Sequence, residues 1–138
     1  MRTLLSIALV LCLAACVHGQ SSIDSEVRNS FLSLSAFECS VVAADPKETA
    51  RLFTLGLNAG RQFLEFVQSN KDVYDKMLTP KIAILWNMTS GPSPDFILGQ
   101  IYADRTQEMY KDFSSDAEVW NAKKANLYRT KNCALIGK

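Results

Sequence analysis

Apolar residues recur every three or four positions in several separate segments of this chain, after an apolar amino-terminal stretch. In one segment the spacing continues over about five helical turns and draws a single stripe along an α-helix. Sustained alternation with a period of two, which a half-buried strand needs, does not occur. The pattern predicts an all-α fold. The stripe consists of Ala50, Phe53, Leu57, Gly60, Leu64 and Val67.

Helix start signals divide the chain into about five helices. Because the connections between them are short, we expect a compact bundle in which neighbouring helices are mostly antiparallel. Asp45-Pro46 and Ser93-Pro94 each place a side-chain acceptor before a proline, the combination typical of an N-cap and a first helical residue. Glu48, three residues after Asp45, completes a capping-box pattern. Asp24 and Ser115 are further candidate caps. The predicted helices cover residues 24–42, 46–67, 81–88, 94–113 and 115–133.

Two features of these helices carry specific expectations. Gly56 and Gly60 lie one turn apart on the second helix, where each costs about 1 kcal/mol relative to alanine, so we expect another helix to approach them closely. The helix over 81–88 is almost continuously apolar around Trp86, so we expect it in the interior.

The first 19 residues have the composition of a secretory signal peptide. Arg2 supplies the positive charge, and residues 4–17 form an apolar run that is short for a bilayer span. Cleavage before Gln20 would leave one domain, residues 20–138, which we expect to be secreted, extracellular and free of the membrane. Leu13-Ala14-Ala15-Cys16 also matches the bacterial lipoprotein box, in which Cys16 would be lipidated, and that alternative stays open.

The mature chain is close to electrically neutral. Lys and Arg number 15 and Asp and Glu 14 in the full chain, and Arg2 leaves with the signal. Nucleic acids and anionic membranes select proteins with a clear basic excess. We therefore expect neither as a partner, and we expect a monomer.

Two cysteines remain after the signal is removed, Cys39 near the beginning of the domain and Cys133 near its end. An even number of cysteines in an oxidising compartment predicts a disulfide, here between the first and last helices. Because the bond would close a loop of nearly a hundred residues, chain-entropy estimates give about 4 to 5 kcal/mol of stabilisation.

Candidate catalytic residues are few, because the only histidine, His18, leaves with the signal. Asp104, Glu108 and Asp112 repeat every four residues along one helical face, a spacing that could present paired carboxylates. Basic residues flank them, so we interpret them as a solvated face. Three carboxylates alone are also a poor metal site. We expect no enzyme activity, no cofactor and no metal.

Candidate binding residues cluster in the last helix, where basic side chains outnumber acidic ones. They could dock on an acidic partner, with Trp120 or Tyr128 as an aromatic anchor. The alternative interpretation is a solubilising outer face, and the loop over 90–94 is a second candidate docking surface. The candidate partner-binding residues are Lys123, Lys124, Arg129 and Lys131.

Asn87-Met88-Thr89 fits the N-glycosylation sequon, which makes Asn87 a candidate glycosylation site on an exposed turn. Sequons also arise by chance, and Trp86 and Met88 look buried, so an unmodified helix terminus is the alternative interpretation.

Two cysteine-bearing segments, Ala36-Phe37-Glu38-Cys39 early and Lys131-Asn132-Cys133 late, accompany the signal, the mature length and the helical pattern. With these features, residues 20–138 resemble the anophensin and albicin type of small salivary proteins from anopheline mosquitoes. The resemblance implies a non-enzymatic inhibitor of host defence, which holds the convertase of the alternative complement pathway in an inactive assembly. Some members are associated instead with blocking contact activation of the kinin system. Host plasma proteins would be the partners, and no short motif assigns a binding residue.

A second hypothesis is a secreted carrier of small hydrophobic ligands, because a helical protein of this size can enclose a cavity. Insect odorant-binding proteins normally have six cysteines, against two in this mature chain, which weakens that route. A bacterial lipoprotein of envelope assembly is a third hypothesis. The residues expected to line a carrier cavity are Phe53, Leu57, Phe63, Trp86 and Met109.

Overall fold

The computed structural model describes residues 23–138, which are 80% helical and contain no strand. The all-α prediction is confirmed, whereas the proposed signal peptide, its cleavage before Gln20 and the lipidation of Cys16 lie outside the described residues. Turns of π-helix (Tyr74–Leu78) and 3-10 helix (Thr79–Lys81, Cys133–Leu135) extend the helical segments. The six α-helices are α1 (23–42), α2 (Pro46–Ser69), α3 (Lys71–Val73), α4 (Ile84–Met88), α5 (Pro94–Met109) and α6 (Ala117–Thr130).

The two proline-marked helix starts are confirmed. The Asp45 side chain accepts a hydrogen bond from the backbone N–H of Lys47 at 3.2 Å, and Pro46 is the first residue of α2. At α5 the Ser93 hydroxyl accepts from the N–H of Phe96 at 3.3 Å. A proline at the first position loses no helical hydrogen bond, because that N–H has no partner within the helix.

Other helix ends differ from the prediction. Asp116 caps α6 instead of Ser115, because its carboxylate accepts from the N–H groups of both Glu118 and Val119, at 2.9 and 3.2 Å. Asp24 lies within α1, since residue 23 is already helical. The α5 helix ends at Met109, four residues before the predicted Phe113.

The helix predicted over 81–88 is shorter and only half buried. Ile82 adopts an extended backbone, with φ −105° and ψ 164°, and separates the preceding 3-10 turn from α4. Trp86 is buried, but Ile84 and Met88 are 73% and 75% exposed. The expectation of an interior helix is therefore wrong for these two residues, which lie away from Trp86 on a five-residue helix that packs through one face.

The α1 and α2 helices pack side by side in opposite directions. Near one end the Phe37 and Phe53 rings lie 5.8 Å apart, and near the other the Asn29 amide donates to Gln62 at 3.4 Å. Rising numbers in α1 therefore meet falling numbers in α2, so this pair is antiparallel, as predicted for short connections.

The α2 and α5 helices are also antiparallel. The Arg61 guanidinium pairs with Asp95 at 2.7 Å, and the rings of Phe53 and Tyr102 meet edge to face at 5.0 Å. The α2 helix thus packs against both α1 and α5. The main core lies among these helices and α4, and its buried members are Ile23, Leu34, Phe37, Phe63, Leu64, Leu78, Ile82, Trp86, Leu98 and Ile101.

The two glycines of α2 mark close helix approaches, which confirms that expectation. A Cβ atom added at Gly56 would lie 2.8 Å from the Phe37 ring and 3.1 Å from the Ser33 carbonyl oxygen, both in α1. A Cβ atom at Gly60 would lie 2.3 Å from the Leu98 side chain in α5 and 2.7 Å from the Ser33 hydroxyl. Atoms of α1 and α5 occupy the space that side chains at these two positions would need.

A second, smaller core surrounds the Cys39–Cys133 disulfide, whose Cα atoms lie 5.5 Å apart. Val42, Ala43 and Leu52 are buried around the bond, and Leu127 of α6 packs against them. The disulfide joins α1 to the 3-10 turn that follows α6, so the predicted bridge between the two ends of the fold is confirmed. Among the described residues, no helix is long and apolar enough to cross a membrane.

Candidate protein-binding surface

Three aromatic side chains meet where the chain passes from α5 to α6. The helix α5 stops at Met109, so Tyr110 and Phe113 fall in the connecting turn, and the Asp116 cap then starts α6 close enough to bring Trp120 against both. The Trp120 ring centre lies 4.9 Å from that of Tyr110 and 5.3 Å from that of Phe113. We call Tyr110, Phe113 and Trp120 the aromatic patch.

Two rings of the aromatic patch face solvent and the third supports them. Tyr110 is 40% and Phe113 57% exposed, whereas Trp120 is only 8% exposed. Val119, next to Trp120, is 56% exposed. Clustered exposed aromatic residues are a recognised feature of protein-binding surfaces, because rings offer large contact area with few rotatable bonds. This surface is the strongest candidate for partner binding.

Charged pairs border the aromatic patch. The Lys123 ammonium lies 3.0 Å from the Asp112 carboxylate and also donates to the Asp112 carbonyl oxygen at 3.3 Å. Lys111 pairs with Glu108 one turn earlier. An apolar centre with a charged, solvated rim is the usual arrangement of a protein-protein interface.

The four basic residues predicted to bind a partner do not share one face of α6. Lys123 and Lys124 are partly buried on the same side as Trp120, because Lys123 lies three residues after that tryptophan. Arg129 points away from this side, is exposed, and donates to Asn126 at 2.9 Å. A solubilising outer face, the alternative interpretation of these four residues, therefore does not describe Lys123 and Lys124.

Lys131 belongs to a cluster that links α1, α5 and the end of α6. Its ammonium lies 2.8 Å from one oxygen of Glu38, and the Arg105 guanidinium lies 3.2 Å from the other. The Glu38 side chain is 18% exposed, so two cations share a largely buried carboxylate. Arg105 also pairs with Asp104. Lys131 therefore holds the fold next to Cys133 and is not a free docking charge.

The three carboxylates considered as catalytic candidates each have a basic partner. Asp104 pairs with Arg105, Glu108 with Lys111, and Asp112 with Lys123. This arrangement agrees with a solvated, ion-paired face. Within residues 23–138, no group of three or more cysteine, aspartate or glutamate side chains is placed to hold a metal ion.

Tyr128, the other proposed anchor, is tied to the first turn of α2. Its hydroxyl donates to Glu48 at 2.8 Å, while Arg51 donates to both oxygens of that carboxylate, at 2.7 and 2.8 Å. Hydrogen bonds from Arg51 first, and from Tyr128 next, lower the pKa of Glu48 to about 2. Arg51 also donates to the Ile136 carbonyl oxygen at 3.0 Å. A cleft of about 470 Å³ adjoins this group and is lined by Val42, Ala44, Asp45, Glu48, Ala125, Tyr128 and Lys138.

Asn87, the candidate glycosylation site, is exposed on α4. Its side-chain oxygen accepts a hydrogen bond from the Tyr74 hydroxyl, and the Thr89 hydroxyl donates to the Leu85 carbonyl oxygen at 3.0 Å. Met88, whose apparent burial spoke against glycosylation, is 75% exposed. Glycosylation of Asn87 stays a prediction.

The residues expected to line a carrier cavity are distributed over different parts of the fold. Phe53 packs against Phe37 and Tyr102, and Met109 packs beside the disulfide. Leu57 packs against the main core. Of these five residues, Phe63 and Trp86 line a cleft between α2, α4 and α5, with a volume of about 310 Å³.

Sequence reasoning missed Tyr110 and Phe113 as surface residues. The predicted helix over 94–113 includes both residues, whereas α5 ends at Met109. The signal that argued otherwise is the run Ser114-Ser115-Asp116, since three consecutive residues with cap preference favour an earlier helix end.

The aromatic patch therefore combines exposed rings, a buried supporting ring and a charged rim. No protein-family model, curated protein or solved structure matches the chain.

Proposed function

We propose that the protein is a secreted, non-enzymatic inhibitor of host defence that binds the convertase of the alternative complement pathway through the aromatic patch. The observation that carries this proposal is the pair of exposed rings, Tyr110 and Phe113, supported by the buried Trp120. The salivary resemblance supplies the target, and the aromatic patch supplies a surface capable of binding it.

The surroundings of the aromatic patch favour binding because they fix it in advance. Trp120 and the Lys123–Asp112 pair hold the turn from one side, and the disulfide anchors the far end of α6. A surface that is already ordered loses little conformational entropy when a partner binds. Inhibition then follows from occupation of the convertase surface and needs no bond to be broken.

The basic residues contribute to this proposal only where they are not needed for the fold. Reversing the charge of Lys131 or Lys123 would break the pairs with Glu38 and Asp112, so loss of binding would be ambiguous. Lys124 and Arg129 have no ion pair within residues 23–138 and lie on different sides of α6. The binding rates of Lys124→Glu and Arg129→Glu therefore show which side of this helix, the one that bears Trp120 or the opposite one, contributes to electrostatic steering of the partner.

Erythrocyte lysis by the alternative pathway tests the function and its site together. Wild-type mature protein should suppress lysis in a dose-dependent way while all complement chains stay intact on gels. Y110A/F113A should need at least about 30-fold more protein for the same effect, the loss typical of an interface hot spot. I84A/M88A is the matched control, because it removes an even more exposed apolar pair from α4 and should leave inhibition unchanged.

Two outcomes would count against the proposal at different levels. Full lysis at saturating wild-type protein, or cleaved complement chains, would overturn the function itself. Equal potency of Y110A/F113A and wild type would retain the target and move the binding surface elsewhere. If the function is overturned, a pull-down from human plasma would identify the target, and contact-phase proteins in place of convertase components would indicate the kinin activity.

A further inference from the structure

A second feature of the molecule is the cleft between α2, α4 and α5, whose volume is about 310 Å³. Its walls include Phe63, Val67, Trp86 and Ile97, and Asn87 lies among its polar lining residues. None of the described residues that line it carries a charge. The cleft shares no residue with the aromatic patch, so its role is separate from the proposed function.

Trp86, one of the residues that line this cleft, has an unpaired hydrogen-bond donor. Trp86 is 4% exposed and meets the Phe63 ring edge to face, with ring centres 4.8 Å apart. Its indole nitrogen is buried and has no hydrogen-bond partner among residues 23–138. An indole N–H can only donate, and buried donors are normally paired, so this group calls for an acceptor.

We propose that the cleft binds a small, neutral, largely apolar molecule whose single hydrogen-bond acceptor meets the indole N–H of Trp86. The apolar walls select an apolar body, and a lining without charge gives no compensation for a charged ligand. At about 30 Å³ for a group the size of water, the volume accommodates about ten non-hydrogen atoms. A monocyclic aromatic ketone has this size and one acceptor.

Entry of such a ligand requires a small movement, because the indole nitrogen is closed to solvent. The rim offers a place for it. One side is α4, only five residues long, and a hydrogen bond from the Tyr74 hydroxyl to Asn87 links it to the preceding π turn. We expect a shift of this short helix to expose the Trp86 indole nitrogen to the cleft.

Nuclear magnetic resonance of the full mature protein tests the proposal with acetophenone as the probe. The chain has two tryptophans, so the spectrum contains two indole N–H signals, which W86F and W120F assign. Acetophenone should shift the Trp86 signal saturably within its aqueous solubility and leave the Trp120 signal in place. The isosteric hydrocarbon α-methylstyrene, in which a CH₂ group replaces the carbonyl oxygen, is the matched probe without an acceptor.

The hydrogen bond is tested by comparing the two probes in two proteins. The preference for acetophenone over α-methylstyrene, measured as a ratio of Kd values, should be about fivefold greater in wild type than in W86F. V67F, which keeps Trp86 and fills the cleft, should abolish the acetophenone shift and covers the case in which W86F does not fold. An unmoved Trp86 signal, equal shifts of both tryptophans, or an unchanged ratio would overturn the proposal.

Discussion

At the scale of single residues, Glu48 shows how distant parts of the chain determine the behaviour of one carboxylate. It lies in the first turn of α2, but one of its hydrogen-bond donors, Tyr128, is 80 residues further along the chain. Arg51 and Tyr128 both bind the ionised form, and therefore they lower its pKa from 4.5 to about 2.

The pKa of Glu48 leads to a prediction for stability against pH. Because the folded pKa is below the unfolded value, the stabilisation is complete above about pH 4.5 and is lost as the pH falls towards 2. Partial exposure of Arg51 screens the interaction, so E48Q should lower the free energy of unfolding by about 1 kcal/mol at pH 7. Urea unfolding should show this difference shrinking towards zero near pH 2.

The control for E48Q is E65Q, which changes an exposed glutamate of the same helix. It should leave the free energy of unfolding within about 0.5 kcal/mol of wild type at neutral pH. A difference between E48Q and wild type that stayed constant from pH 7 to pH 2 would contradict the assigned hydrogen bonds.

Local hydrogen bonds could be predicted from the sequence, and distant ones could not. The caps Asp45 and Ser93 bind backbone groups two or three residues away, which spacing alone indicates. Glu48 matched a capping box, but its carboxylate binds Arg51 and Tyr128 instead. The unpaired N–H donor of Trp86 could not be predicted from the sequence, because the burial of this group and its lack of a hydrogen-bond partner both depend on the packed fold.

At the scale of elements, the close packing of α2 between α1 and α5 depends on side chains that are absent. The glycine spacing indicated the close approach, and the structure adds which neighbours are near: Phe37 at Gly56, and Leu98 with Ser33 at Gly60. The short helix α4 was predicted less well, because a five-residue segment contains too few turns for its apolar spacing to define a face.

A glycine-to-alanine pair tests this packing. G60A should lower the free energy of unfolding by about 1 to 3 kcal/mol, because the added methyl overlaps Leu98 and Ser33 and the strain exceeds the gain in helix propensity. G99A in α5 should raise it by up to about 1 kcal/mol, since no neighbouring atom lies within 4 Å of the added Cβ. Thermal unfolding measures both, and a stabilising G60A would show that the helices separate easily.

At the scale of the whole molecule, the fold has two cores of unequal size. Among the described residues, α6 contributes nothing to the main core and packs instead beside the disulfide and in the aromatic patch. The all-α class and the disulfide were predictable, because the spacing of apolar residues and the number of cysteines are both visible in the sequence. The division into two cores was not, because it depends on which faces meet.

The two-core arrangement predicts that loss of the disulfide affects α6 most. C39A/C133A should lower the free energy of unfolding by about 4 kcal/mol, because the bond closes a loop that spans 94 positions. Amide hydrogen exchange should accelerate more in α6 than in α2, since local opening follows the weaker contacts. Equal acceleration in both helices would show that the molecule opens as one unit.

The disulfide also decides how the molecule responds to mechanical tension. When residues 23 and 138 are pulled apart, the Cys39–Cys133 bond transmits the force directly from one cysteine to the other. The residues between the two cysteines therefore bear none of this force. Only residues 23–39 and 133–138 can be pulled straight, to a combined length of about 70 Å, whereas the whole reduced chain extends to about 390 Å. Tyr110, Phe113 and Trp120 lie within the segment that bears no load, so the aromatic patch keeps its shape while the ends of the chain are stretched.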